Sequence, residues 1–324
     1  MSALPSLSRL FAAPAPSAGI EIAADRVTGV VLDRERRVAA GVSRPLPPGA
    51  VTPAVNAANL VEPDTVRDVV REVRESLPGA PRRLALVVPD SAAKVSLLRF
   101  DKVPARAADL DQLVRWQARK TAPFRIEDAQ VACAPGAPVD GGGREFVVSL
   151  MRRDIVEEYE GACARAGGHA GGVDLASFGV IDAVLAGGRP AEPDWLLVHA
   201  AGGYLSIAVV RQGHLILFRH QPGRDGDDDD ALVDLVHQTT MYYEDRLEGA
   251  GDGRVGLAVS SEGADARASG YLRRLGVVHV DSPLRPIAAG RPAEPPRPGG
   301  ALSDVIAAPA GLLLREHTAS GASA

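Results

Sequence analysis

Two strand meanders of matching design, one near each end of the chain, predict a mixed α/β protein built of two related halves. The first, GIEIAADRVTGVVLD at 19–33, sets Ile20 and Ile22, then Val27 and Val30 to Leu32, on either side of a polar Asp25-Arg26 turn, the pattern of a β-hairpin. The second starts with the apolar run Trp195 to His199, turns at Gly202-Gly203, and continues through LSIAVV, a Gln-Gly turn and HLILF. The length of 324 residues suits one large domain or two joined halves of about 150 residues each.

The elements follow in order. Residues 1–17, with Pro5, Pro14 and Pro16 among Ser and Ala, read as a peripheral arm. After the first hairpin a third extended stretch runs to about Pro45. Asp64 then stands as the N-cap of a helix whose Val66, Val69, Val70, Val73 and Leu77 share one face. Leu84 to Val88 is a continuous apolar run of the length of a buried strand. Residues 93–99 are extended, and 107–121 form a helix with Leu110, Leu113, Val114 and Ala118 inward. The Gly run 141–143 turns the chain into the strand EFVVSLM. Asp154 to Arg165 is helical, GVDLAS is a short strand, and a further helix ends near Ala186. Gly and Pro at 187–193 mark a boundary. A long helix covers Asp229 to Leu247. The acidic run Asp227 to Asp230 at its start suits the positive end of the helix dipole, with a metal or a basic partner as the alternative. Residues 283–300 form a Pro- and Gly-rich loop, a last apolar segment ends near Arg315, and the final nine residues are expected to be disordered. The expected division is an arm at 1–17, a first lobe at 18–190 with an insertion at about 90–152, a second lobe at 191–316 and a tail at 317–324.

Apolar residues make up 46% and charged residues 24% of the chain, as in folded globular proteins. A formal net charge of −5 supplies no field that would draw the protein onto nucleic acid or anionic lipid. Cys133 and Cys163 lack CxxC spacing and read as reduced thiols of a cytosolic protein. No run of 18 apolar residues occurs, so membrane contact is expected through a partner. His214, His220 and His237 have no metal-ligand spacing, and Tyr242 and Tyr243 read as packing residues. GxSxG, HExxH and P-loop patterns are absent.

Several stretches carry a resemblance. These are VVPDSAAKVSLLRFDKVP with DLDQLVRWQARKTAPFRIEDAQV, which contain Pro89, Asp90, Pro104, Leu110, Trp116, Lys120, Pro123, Phe124 and Glu127. The others are DIVEEYEGACARAG with VDLASFGVIDAVLA, the helix DLVHQTTMYYEDRLEG, and the closing AAPAGLLLR. Together they resemble the type IV pilus assembly protein PilM family, which is related to the cytoplasmic domain of type II secretion GspL proteins. The resemblance implies an α/β, two-lobed actin-like ATPase (ribonuclease H-like) fold with an inserted subdomain in the first lobe. It also implies a cytoplasmic scaffold, peripheral to the inner membrane, that holds the N-terminal tail of a PilN-like bitopic partner in a groove near that subdomain. Self-association stays open. Trp116 and Phe124 are then candidates for the partner surface, the alternative being core of the subdomain.

The nucleotide chemistry of that fold needs a phosphate-cradling hairpin turn, acids for Mg²⁺, and small residues beside adenosine. In the first hairpin Glu21 keeps an acid, but Ala23 and Ala24 replace glycine and hydroxyl. In the second, His199 stands at the acid's place, ahead of Gly202 and Gly203, which read first as a hairpin turn and alternatively as an anion cradle. The adenosine motif is reduced to VGLAVSSEGADA, where Ser260 and Ser261 replace glycines and Gly263 remains. These changes predict a pseudo-ATPase scaffold, with Glu21, Gly202, Gly203 and Gly263 as remnants of a site for ATP with Mg. The competing expectations are an ATP-dependent switch, and a sugar kinase or polyphosphatase needing Glu21 or Glu262 as base.

Overall fold

The computed structural model describes residues 16–186, 194–201, 203–222, 229–246, 256–260, 280–281 and 305–322. Most of the arm at 1–17, the boundary at 187–193, Asp227 and Asp228, Ser261, Glu262, and the loop at 283–300 lie outside them.

The first sheet is built from β1 (Ala18–Ile22), β2 (Arg26–Leu32), β3 (Val38–Pro45), β4 (Arg83–Val88) and β8 (His169–Leu175), in the spatial order β3-β2-β1-β4-β8. The second repeats the order with β9 (Asp194–Ala201), β10 (Tyr204–Arg211), β11 (His214–Pro222), β12 (Gly256–Ser260) and β13 (Val280–Asp281): β11-β10-β9-β12-β13. In each sheet the central strand pairs antiparallel with the strand that follows it and parallel with the one beyond. A third sheet, β5 (Lys94–Phe100), β6 (Ala129–Val139) and β7 (Gly143–Arg152), has the order β5-β7-β6 and is inserted between β4 and β8.

Helices separate the layers. The outer face of the first sheet packs its Ile20, Ile22 and Leu86 against α1 (Pro63–Ser76) and α3 (Arg153–Arg165), through Val66, Val70, Val73, Ile155 and Tyr159. Its inner face meets α4 (Ala176–Ala186) and α6 (Ala307–Ala322), which also bury Trp195, Leu197, Ala208 and Val210 of the second sheet. The far face of the second sheet carries α5 (Asp229–Arg246). Burial on both faces explains why β4 and the Trp195–Val198 stretch of β9 are continuous apolar runs rather than alternating ones, and why β1 is buried throughout.

The α4–α6 contact between the sheets is made by small residues. A Cβ on Gly311 would stand 1.8 Å from the Gly179 carbonyl oxygen, and one on Gly179 would stand 2.3 Å from that of Ala308. Backbone meets backbone there, so the closing AAPAGLLLR segment owes its glycine to this crossing.

Four expectations change. Helix α1 begins at Pro63, with Glu62 at the cap, so Asp64 lies inside the first turn; proline at the first helical position is favoured because its missing N–H would be unpaired anyway. Helix α6 continues to Ala322, past the disorder expected from 316, since nothing in EHTASGA breaks a helix already nucleated on the core. Strand β6 is an addition: Pro135 and Pro138 hide it in the sequence, but an edge strand with a register shift between them accommodates both. Trp116 is 60% exposed on α2 (Ala107–Ala118), with the Lys120 ammonium 4.4 Å from its ring centre, so it is not core of the inserted subdomain. Phe124 packs, half-buried, against that core.

Candidate functional site

The two hairpins align residue by residue through their registers. Ala23 bonds Arg26 to close the first, and Ala201 pairs Tyr204 in the second. Counting back two positions makes Glu21 the counterpart of His199, and both fall on the interlobe face by the alternation of a strand. Their neighbours across the sheets complete two equivalent polar rows. In the first sheet Glu21 pairs Thr28, which pairs Ser43; in the second His199 pairs Ser206, which pairs His220.

Asp90 enters this space from a single 3-10 turn after β4, with only 1% of its surface exposed. Its Oδ1 accepts the backbone N–H of Ser177 at 3.0 Å. Its Oδ2 accepts the hydroxyls of Ser177 and, at 2.6 Å, Ser206. Ser177 Oγ lies 2.9 Å from His199 Nδ1 and Ser206 Oγ 3.1 Å from His220 Nδ1, while Ser91 Oγ lies 3.1 Å from His220 Nε2. Burial holds both imidazoles below their ordinary pKa, against the pull of Asp90 in the other direction. Tyr204 closes the space: its ring packs edge-on to His199 at 5.7 Å and tilted to His220 at 5.3 Å. Burial beside Asp90 and Glu21 pushes its phenol far up.

Serine, histidine and aspartate together invite comparison with a nucleophilic triad, but the geometry differs. In a triad the imidazole stands between serine and carboxylate. Here Ser177 stands between them, and with Ser177 fully buried its hydroxyl is presented to no solvent-borne substrate.

A magnesium nucleotide makes different demands on such a cluster. Mg²⁺ favours carboxylate oxygens, yet both oxygens of Asp90 are engaged by Ser177 and Ser206, and a neutral imidazole occupies the second sheet's acid position. Gly203 does take φ +85°, as an anion-cradling turn can, whereas neither Ala24 nor Asp25 has positive φ. The donor set does not fit a magnesium nucleotide. Gly202 and Gly263 lie outside the described residues. Glu21 is buried at 4% exposure beside this cluster. Among the described residues no three metal-ligating side chains are arranged so that they could hold a metal ion.

A second feature is a groove of about 560 Å³ between the inserted sheet and the first lobe, lined by residues including Ala132, Ala134, Val147, Glu160, Asp174 and Phe178. Its walls are β6, an edge strand of the inserted sheet, and β8, an edge strand of the first. Gly171 and Gly172 leave part of the β8 wall without side chains, while Val173, Asp174 and Leu175 line the rest. Arg315 closes one side, ion-paired to Asp174 and, at 3.1 Å, to Asp182. Neither Trp116 nor Phe124 lines the groove.

Sequence reasoning found Glu21 and His199 but missed Asp90, Ser177, Ser206 and His220 as members of one site. The signal was present in the repeat: counting outward from the second hairpin places Ser206 and His220 in one row with His199.

No protein-family model matches the chain, and no curated protein matches it significantly. Solved structures do. A PilM-PilN type IV pilus biogenesis complex is similar at a TM-score of 0.73 and 20% identity, over 93% of this chain and 98% of that one. The cytoplasmic domain of EpsL, an inner-membrane component of the Vibrio cholerae type II secretion system, gives 0.49 and 8% identity over 93% and 94%. A Bacteroides thetaiotaomicron protein with an actin-like ATPase fold gives 0.49 and 8% identity over 86% and 97%. With the repeated strand order and the inserted sheet, the first likeness establishes that this chain has the two-lobed actin-like ATPase fold and resembles PilM in it.

Proposed function

We propose that the chain is a PilM-like docking scaffold of a type IV pilus or related secretion machine, and that it binds the extended N-terminal tail of a PilN-type membrane partner without hydrolysing ATP. The fold likeness alone does not carry this reading. The observation that carries it is the groove. Among the described residues β6 and β8 are edge strands and both line it, an arrangement suited to an extended peptide that adds its own main-chain hydrogen bonds. Apolar side chains such as Val147 and Phe178 offer contacts for alternate residues of such a tail, and Glu160 favours a basic residue within it. Among the described residues no helix is long and apolar enough to cross a membrane, in keeping with a scaffold brought to the inner membrane by its partner. The donor set around Asp90 and His199 supports the reading that ATP is not hydrolysed.

The test is calorimetric titration with a synthetic peptide of a PilN-type cytoplasmic tail. Saturable binding by the wild type, abolished by Ala132→Arg, supports the proposal. Ala132 is exposed in the groove, so arginine fills the groove without disturbing the core. Binding that survives Ala132→Arg and Ala134→Arg alike would refute docking at this site.

A further inference from the structure

The geometry points to a latch: the Asp90-centred cluster joins the two lobes through the chain's own side chains. Hydrogen-bond bookkeeping supports this. A serine hydroxyl has one proton to give. Ser177 and Ser206 both give theirs to Asp90 Oδ2, so each Oγ accepts from the imidazole beside it. His199 and His220 therefore carry their protons on Nδ1. His220 Nε2 is left as an acceptor and takes the Ser91 hydroxyl proton.

The resulting circuit crosses between the lobes twice. It runs from Ser91, beside β4, to His220 on β11, to Ser206 on β10, and back to Asp90 beside β4. A branch through Ser177, at the start of α4, ties in His199 on β9. Tyr204 packs against both imidazoles and lies beside Asp90. Charge-assisted bonds to a buried carboxylate are the strong class of protein hydrogen bond. A cleft latched this way holds its closed arrangement without a ligand. The inference concerns the lobes alone and stands or falls independently of tail docking.

The experiment uses the full chain with two readouts. Nitrogen-15 spectroscopy of labelled histidine reports the tautomers, and amide exchange reports the coupling of the lobes. Two of the seven histidines are expected as neutral Nδ1–H tautomers, and Ser206→Ala is expected to return His220 to the Nε2–H form common in water. The same variant should speed amide exchange in β10 and at the start of α4 by roughly tenfold or more, leaving β5 and β7 unchanged. Asp90→Asn should act in the same direction more strongly; should it fail to fold, Ser206→Ala still decides. Nδ1–H tautomers absent from the wild type, or exchange in β10 unaffected by Ser206→Ala, would overturn the latch.

Discussion

Gly311→Ala opposes two effects of known size. In the interior of α6 alanine is the better helix former, by about 1 kcal/mol. Against this, the new Cβ would lie 1.8 Å from the Gly179 carbonyl oxygen and 2.6 Å from the Ala183 nitrogen. Ordinary contact begins at 3.4 Å, so α6 would have to retreat by 1.6 Å (3.4 − 1.8). Side-chain rotation offers no relief, because the obstructing atoms are backbone. Nor can α6 move alone: Pro309 sits on Gly19 of β1, and Leu312 and Leu313 are buried in the interlobe layer. Overpacking of this kind costs about 1–3 kcal/mol where neighbours can adjust, and here the upper end applies. The net expectation is a loss of about 2 kcal/mol or more, a fall in Tm of roughly 4 °C or more. Thermal unfolding followed by circular dichroism measures it, with Gly172→Ala as control because its Cβ would meet nothing within 4 Å. A neutral or stabilised Gly311→Ala would refute the close helix crossing.

His199→Asp should place a second carboxylate in the space where Asp90 Oδ2 now lies 3.9 Å from His199 Nδ1. It should lower stability and leave nucleotide affinity unchanged; recovery of stability on adding Mg²⁺ with ATP would contradict the pseudo-ATPase reading. Burial lifts the Asp182 carboxyl from 3.8 to about 7, outweighing Arg315. The folded value lies above the unfolded one, so the contribution to stability is present at pH 4 and is lost as pH rises to about 7. Urea unfolding should show wild type losing stability relative to Asp182→Asn across that window; parallel curves would sink the assignment. His199 and His220, buried with Asp90, Arg26 and Lys94 nearby, are depressed instead. The unfolded chain takes up protons that they do not, so stability should fall as pH drops below about 6.5, and Ser206→Ala should flatten the fall. Tyr243→Phe removes the 2.5 Å bond from a buried phenol to Asp194 Oδ2 and should cost about 1–3 kcal/mol in chemical denaturation, with no cost if Arg211 alone holds that carboxylate.

The two lobes were legible because each begins with a hairpin whose central strand is buried on both faces, leaving long apolar runs that periodicity detects. The polar rows were half legible. Glu21 and His199 stand next to the turns and can be counted from them, whereas Asp90 joins them only through a chain reversal after β4, and Ser177 only because α4 starts beneath it. Such meetings at separations of 87 and 116 residues leave no local pattern. The groove was hidden for another reason: its β6 wall carries Pro135, Gly136 and Pro138, which argue against a strand in any short window. Trp116 was ambiguous in sequence: its exposure on α2 removes the core alternative, and it is not part of the groove lining.

The central claim is a self-latched scaffold that binds a peptide and not a nucleotide. Side-by-side calorimetric titration of the purified chain, with Mg·ATP and with the tail peptide of a PilN-type protein, tests it most directly. The account predicts saturable heat for the peptide and none for Mg·ATP; tight Mg·ATP binding, or a peptide that never saturates, would contradict it.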